Sequence, residues 1–371
     1  MPDPVELLKA LIACPSVTPA RGAVFDVADA ALTALGFAVT RTLDGPDPVE
    51  NLVATRGSGG RHFAFAGHLD VVPAGGGWSG DAFAPRVEDG AVIGRGACDM
   101  KGSVATFIAA VAEVPVGAGT VSLLLTGDEE GPGLHGTRAI MAHLDRAGVR
   151  PDRMLVGEPT SVGRLGDTVK IGRRGSVNLW VTATGREGHV AYPAAADNPL
   201  PRLIACLGEL DAMTLDEGTE WFQPSNLEMT GITVDNPAHN VIPGAGMARL
   251  SIRFNDLHTG AGLVNRVRSI ATRHGCTVEG IVSGEAFLTE PGAFSALVSR
   301  AVEEVTGLTP TLSTTGGTSD ARFLTAWGPV VEFGPPNATM HKGDEAITLS
   351  DLRQLTAIYR TITVAALSSD G

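Results

Sequence analysis

The feature that most constrains this chain is a set of short, mostly apolar runs, each of which stops at a cluster of histidine or carboxylate residues. His62-Phe63-Ala64-Phe65-Ala66 leads into Gly67-His68-Leu69-Asp70, and Thr120-Val121-Ser122-Leu123-Leu124-Leu125-Thr126 leads into Gly127-Asp128-Glu129-Glu130-Gly131. Met154-Leu155-Val156 delivers Gly157-Glu158-Pro159-Thr160, and Val330-Val331-Glu332-Phe333 runs through Gly334-Pro335-Pro336 to Asn337 and His341. Runs of this kind read as buried strands. Helical patterns separate them, over 4–13, 24–35, 104–114, 137–146, 294–306 and 350–367, with further strands expected over 38–42 and 51–55. Asp3-Pro4 supplies a cap and a tolerated first-turn proline, and Gly36 a stop. Strands alternating with helices predict an α/β layer with a largely parallel central sheet flanked by helices.

Ligands in open α/β sheets bind at the carboxyl ends of the strands, which is where these clusters fall. Alternation along an extended segment turns His68 and Asp70 to one side, so the Asp70 carboxylate is expected to take the second imidazole N–H and leave the other nitrogen for a metal. Adjacent acids such as Glu129 and Glu130 repel each other, which suits a site where one binds a cation and the other handles a proton. Asp99 stands just before a helix start. Two histidines and three carboxylates suit two borderline metal ions, with one carboxylate free to bridge. Bridged pairs of this kind lie about 3.5–4 Å apart.

After Glu158 the rhythm changes to strand 169–183, helix 200–210, strands 227–234 and 247–254, helix 262–274 and strand 277–282. That β-α-β-β-α-β order predicts a ferredoxin-like α+β unit inserted into the first domain. The expected domains are therefore 1–175 and 286–371 for the catalytic layer and 176–285 for the insertion.

A chain of 371 residues fits two domains, and 43% hydrophobic residues is ample for their cores. The net charge of −13 argues against nucleic acid or an anionic membrane surface as partner. Met1-Pro2-Asp3-Pro4 lacks a basic start and a following apolar segment, and no stretch approaches a membrane span, so a cytoplasmic setting is expected. Cys14, Cys98, Cys206 and Cys276 are widely spaced, which fits reduced thiols better than a disulfide framework or structural zinc site.

Gly67-His68-Leu69-Asp70-Val71-Val72-Pro73, Gly94-Arg95-Gly96 through Asp99-Met100-Lys101-Gly102, Asp128-Glu129-Glu130-Gly131 and Gly157-Glu158-Pro159-Thr160 resemble motifs of the dinuclear zinc amidohydrolases of the M20 peptidase superfamily. Further matches run from Lys170 to Ser176, Gly188 to Pro193, Asp197 to Pro199, Asn240 to Gly244, Gly316 to Asp320 and Glu332 to His341. Within the family these point to members acting on N-succinyl-L,L-2,6-diaminopimelate, in lysine and meso-diaminopimelate biosynthesis. A related amidohydrolase, such as an acetylornithine deacetylase or a dipeptidase, is the alternative.

The resemblance implies two Zn2+ ions, with Co2+ able to substitute. Asp99 would bridge them, with His68 and Glu158 on one and Glu130 and His341 on the other. It makes Glu129 the general base and places Asp70 behind His68. Arg173 and Arg253 would hold substrate carboxylates, with Ser176, Tyr192, Asn240, Gly317, Thr318 and Asn337 as supporting contacts. The inserted domain would act as a lid and homodimerisation surface, and His189 would reach the other subunit's site to stabilise an oxyanion.

Overall fold

Helix boundaries in the computed structural model, which describes residues 2–115 and 117–368, follow local chemistry. The Asp3 carboxylate accepts the Val5 N–H at 2.9 Å to open helix Pro4–Ile12. Thr348 does the same for Leu349–Leu367 through the Asp351 N–H at 2.9 Å. Gly307, at φ 71°, closes Ala293–Thr306 in the left-handed region that glycine adopts freely. The chain divides into two compact units, one comprising Met1–Ile171, Thr289–Ser313 and Ser319–Gly371, the other Gly172–Leu288 and Thr314–Thr318.

The first unit is built on an eight-stranded sheet. Its centre is parallel: His62–His68 pairs with Thr120–Thr126 on one side and Arg153–Val156 on the other, and Arg153–Val156 pairs in turn with Val330–Glu332. The register sets His68 opposite Thr126, Ala66 opposite Val156 and Glu332 opposite Val156. Four neighbouring strands therefore end at the same edge, and the polar segments that follow them emerge together. The pairs at the periphery include antiparallel ones, Ala38–Asp44 with Val49–Arg56 and Val49–Arg56 with Thr120–Thr126. The parallel centre makes the sheet largely parallel where the site forms.

Packing explains why the central strands are unbroken apolar runs. Phe65 stacks on Phe107 with ring centroids 4.2 Å apart, and Tyr359 meets both rings edge-on. The Tyr359 hydroxyl, fully buried, donates to the Phe333 carbonyl at 2.8 Å, which satisfies the one polar atom this cluster brings inside. Helix Lys101–Val111 is buried at every position, packed against Pro4–Ile12 and Leu349–Leu367. Its small residues allow that close approach on all sides.

The second unit holds a four-stranded antiparallel sheet in the order Asn226–Thr233, Ala245–Phe254, Gly175–Thr184, Cys276–Gly284. Helices Leu200–Asp211 and Gly260–Arg273 complete the β-α-β-β-α-β chain order. The strands alternate: Val177, Leu179, Val181 and Ala183 share a core with Leu203, Leu207, Leu263 and Val267 of the helices. This order and topology are ferredoxin-like. The stretch expected as one strand over 169–183 is three, Thr168–Lys170, Gly172–Arg173 and Gly175–Thr184, and only the last belongs to this sheet. Gly172–Arg173 pairs instead with Phe287–Leu288.

Candidate metal centre

His68 is the last residue of its strand, and the parallel register carries Glu129, Glu130 and Glu158 to the same edge. Asp99 lies two residues before helix Lys101–Val111, and His341 follows strand Val330–Glu332. These segments form two donor groups, His68–Asp99–Glu158 and Asp99–Glu130–His341, in each of which the ligand atoms lie within 4.8 Å of one another. Asp99 belongs to both. Its Oδ1 is 3.2 Å from His68 Nε2, and its Oδ2 is 3.1 Å from His341 Nε2. Glu158 Oε1 is 3.9 Å from His68 Nε2, and Glu130 Oε1 is 2.9 Å from His341 Nε2.

These spacings suit metal ions. A zinc ion with bonds of about 2.0–2.2 Å in tetrahedral geometry spaces its ligand atoms by roughly 3.3–3.6 Å, inside the observed spread. The electrostatics call for cations as well. Glu129, Glu130, Glu158, Asp70 and Asp99 crowd around two imidazoles. Burial works to lower the His68 pKa, but hydrogen bonding to Asp99 and the charges of Asp70 and Asp99 drive it well above the ordinary value. His341 is pushed up to about 10, chiefly by its hydrogen bonds to Asp99 and Glu130. Burial opposes ionisation of Asp99, and the hydrogen bonds from His341 and His68 overcome it and hold the group well below the carboxylate range. The imidazoles are thus drawn toward the cationic form by surplus negative charge, which metal ions would neutralise.

Glu129 is driven well above the ordinary glutamate value by burial and then by the charge of Glu158. Asp320, absent from the sequence-derived site, adds to that push. It is a buried carboxylate that accepts a hydrogen bond from Thr137 Oγ1 at 2.7 Å. The Gly316-to-Asp320 motif contained it, but nothing local marked its side chain as facing inward.

The expected Asp70 contact is corrected. His68 Nδ1 donates to the Asp70 backbone carbonyl at 2.9 Å, while the nearest Asp70 carboxylate oxygen is 3.6 Å away. The carboxylate instead accepts the Glu130 N–H at 2.9 Å and the Glu129 N–H at 3.3 Å. Fully buried Asp70 still rises to about 6 through its burial, opposed by the charge of His68 and by those N–H groups. A strand end offers its own carbonyl to the preceding imidazole, which frees the side chain to grip the neighbouring turn.

The remaining site candidates form separate sets. Ser176 and Arg253 are cross-strand partners, and Arg253 Nη1 donates to Ser176 Oγ and, at 3.1 Å, to Ser251 Oγ. Burial and then the charge of Arg253 hold Arg174 below its ordinary value. Arg173 donates to the Gly317 carbonyl at 3.2 Å, with Thr318 next in the chain. His189 pairs in register with Val241, its ring 5.8 Å from that of exposed Tyr192, and the Asn240 carbonyl accepts the Val190 N–H at 3.1 Å. Asn337 belongs to the first unit, where its N–H donates to the Ser161 carbonyl at 3.0 Å.

Residues 64–364 match the sequence pattern of peptidase family M20/M25/M40. The chain belongs to this family. M20 relatives include the succinyl-diaminopimelate desuccinylase of Sphingopyxis alaskensis, 62% identical over 366 residues that cover 97% of each chain. The enzyme of that name from Novosphingobium aromaticivorans is 61% identical over 371 residues, 99% of each. Among solved structures, aminopeptidase PepT from Bacillus cereus superposes with a TM-score of 0.78 at 19% identity, covering 98% of both chains. The Bacillus subtilis YXEP protein, a dinuclear metal-binding peptidase of the M20 family, gives 0.71 at 15% identity over 98% of this chain and 96% of its own. These distant likenesses establish the shared M20 fold.

Proposed function

We propose that this chain is a metal-dependent amidohydrolase that converts N-succinyl-L,L-2,6-diaminopimelate and water to L,L-diaminopimelate and succinate, within lysine and meso-diaminopimelate biosynthesis. The observation that carries the reading is near-full-length identity of 61–62% to succinyl-diaminopimelate desuccinylases, in a chain whose donor groups share one two-sided carboxylate.

His68, Asp99 and Glu158 would hold one ion, and Asp99, Glu130 and His341 the other, as Zn2+ with Co2+ able to substitute. Such ions supply Lewis acidity toward the amide carbonyl and ease the ionisation of water. Glu129 supplies the proton handling. Its carboxylate takes a proton from water as the water oxygen attacks the amide carbon, and returns it to the amine nitrogen as the C–N bond breaks. Burial and the charge of Glu158 raise the basicity of this carboxylate, which favours its acceptance of that proton. Asp70 holds the turn that presents Glu129. Arg173 and Arg253 serve substrate carboxylates, the planar guanidinium being suited to bidentate contact. Ser176, Tyr192, Asn240, Gly317, Thr318 and Asn337 line the substrate.

The reading includes a homodimer formed through the second unit, with His189 of the partner subunit completing each site. Strand Asn226–Thr233, an edge of the four-stranded sheet, carries exposed Ile232, which supports edge-to-edge association there. It also includes a cytoplasmic setting, supported by four free cysteines. Among the described residues no helix is long and apolar enough to cross a membrane.

The test is amide hydrolysis by zinc-loaded protein on N-succinyl-L,L-diaminopimelate and N-acetylornithine side by side, with a chelated control. Strong preference for the succinylated compound, lost with the chelator, is expected. Turnover of acetylornithine alone would move the substrate assignment to a neighbouring activity and void the Arg173 and Arg253 roles.

A further inference from the structure

Glu345 is fully buried and every oxygen of its carboxylate is occupied by the loop that carries Asp99. Oε1 accepts the N–H groups of Cys98 and Asp99 at 2.9 and 3.0 Å, and Oε2 accepts the Gly96 N–H at 3.1 Å and Arg95 Nη1 at 2.7 Å. Arg95, also buried, reaches on to the Ala74 carbonyl at 2.7 Å and the Lys342 carbonyl at 3.3 Å. Glu345 lies four residues after His341, so one side chain ties the loop of one candidate ligand to the loop of another. The intervening turn is wound tightly, with His341 at φ 61° and Asp344 at φ 52°, in the left-handed region that non-glycine residues hold only when their surroundings impose it. Asp344 is anchored in turn by the Ser79 N–H at 3.0 Å and Arg86 Nη2 at 2.7 Å.

We propose that Glu345 is the positioning residue of the shared ligand: by gripping the Asp99 backbone from the His341 loop, it sets the Asp99 carboxylate between the two donor groups and so governs cation affinity at both. The inference rests on the two-ion reading above. Asp99 is the member common to both groups, so a change in its backbone loosens both ions together. Asp70 differs, because its carboxylate accepts from the backbone of the Glu129–Glu130 turn, which carries a ligand of one group alone. A carboxylate that receives three backbone N–H groups and a guanidinium also holds its own geometry, since each contact opposes rotation about the others.

The experiment compares zinc- and cobalt-loaded parent protein with Glu345→Gln and with the double variant Arg95→Met/Glu345→Gln, which leaves no unpaired buried guanidinium. Two readouts are taken: competition for each bound equivalent by a chelator of known affinity, and the visible absorption of the cobalt forms at saturating cation. Both equivalents are expected to weaken together, by about 10- to 100-fold, with a changed cobalt spectrum. A residue that only supported the fold would lower the unfolding temperature and leave affinity and spectrum unmoved. Parent-like affinity and spectrum, weakening of one equivalent alone, or failure of both variants to fold would overturn the proposal. Failure of the parent itself to bind two equivalents would instead remove the two-ion reading on which it stands.

Discussion

Replacing Asp70 with asparagine separates two accounts of what this residue does. His68 keeps its partner in the variant, because Nδ1 donates to the Asp70 backbone carbonyl, which no side-chain change removes. The carboxylate's hydrogen bonds to the Glu129 and Glu130 N–H groups are what changes. Asparagine offers one oxygen, which can keep the shorter 2.9 Å contact to Glu130, and turns its NH2 group toward the Glu129 N–H. One charge-assisted hydrogen bond is therefore lost in a fully buried setting, about 1.5–3 kcal/mol. If that loss falls on the placement of the Glu129 base, kcat drops by about 10- to 150-fold. Steady-state kinetics on the succinylated substrate, paired with metal analysis of the same sample, reads both consequences. The expected result is a kcat loss of that size with both metal equivalents retained. An unchanged kcat would show that the hold on the turn does not place Glu129, and loss of the ion held by His68 would show that Asp70 acts through the imidazole.

Glu129→Gln should retain both metal equivalents and lose about 10²- to 10⁴-fold in kcat, the range for removal of a general base; a rate within a few-fold of the parent would dismiss Glu129 from proton transfer. Arg253→Met should raise KM for the succinylated substrate by about 10-fold and alter kcat less, which initial-rate curves would show. Lys101 is fully buried, its ammonium on the Leu11 and Cys14 carbonyls at 2.9 and 3.1 Å, and burial lowers its pKa to about 8. Its folded pKa lies below the unfolded value, so the charged form costs stability below pH 8, and that cost is relieved as pH rises toward about 10.5. Relative to Lys101→Met, the parent should therefore gain stability across that window, and parallel melting curves from pH 7 to 10 would contradict it.

Much of the fold is legible in local signals. Asp3 and Thr348 cap the helices they precede, the central apolar runs are strands, and the alternation Val177, Leu179, Val181 marks one buried face. Most of the candidate donors are legible for the same reason: His68, Glu130, Glu158 and His341 stand at or beyond the ends of parallel strands, which end together, while Asp99 stands just before a helix. What escaped is set by contacts between distant segments. The break near Gly172 depends on Phe287–Leu288 pairing with Gly172–Arg173. The inward placement of Asp320 depends on Thr137, far away in the chain.

The sequence by itself determined which residue types stand at the strand ends, and hence that imidazoles and carboxylates would meet at one edge once those strands paired in parallel, because strand periodicity is a short-range property. Only the tertiary structure decided how those groups share their hydrogen bonds. Asp70 grips a turn 60 residues away, and Glu345 reaches back 246 residues to the Asp99 N–H. A buried carboxylate must find donors wherever the fold brings them. Sequence shows that such an acid exists; the packing of distant loops settles which backbone it holds.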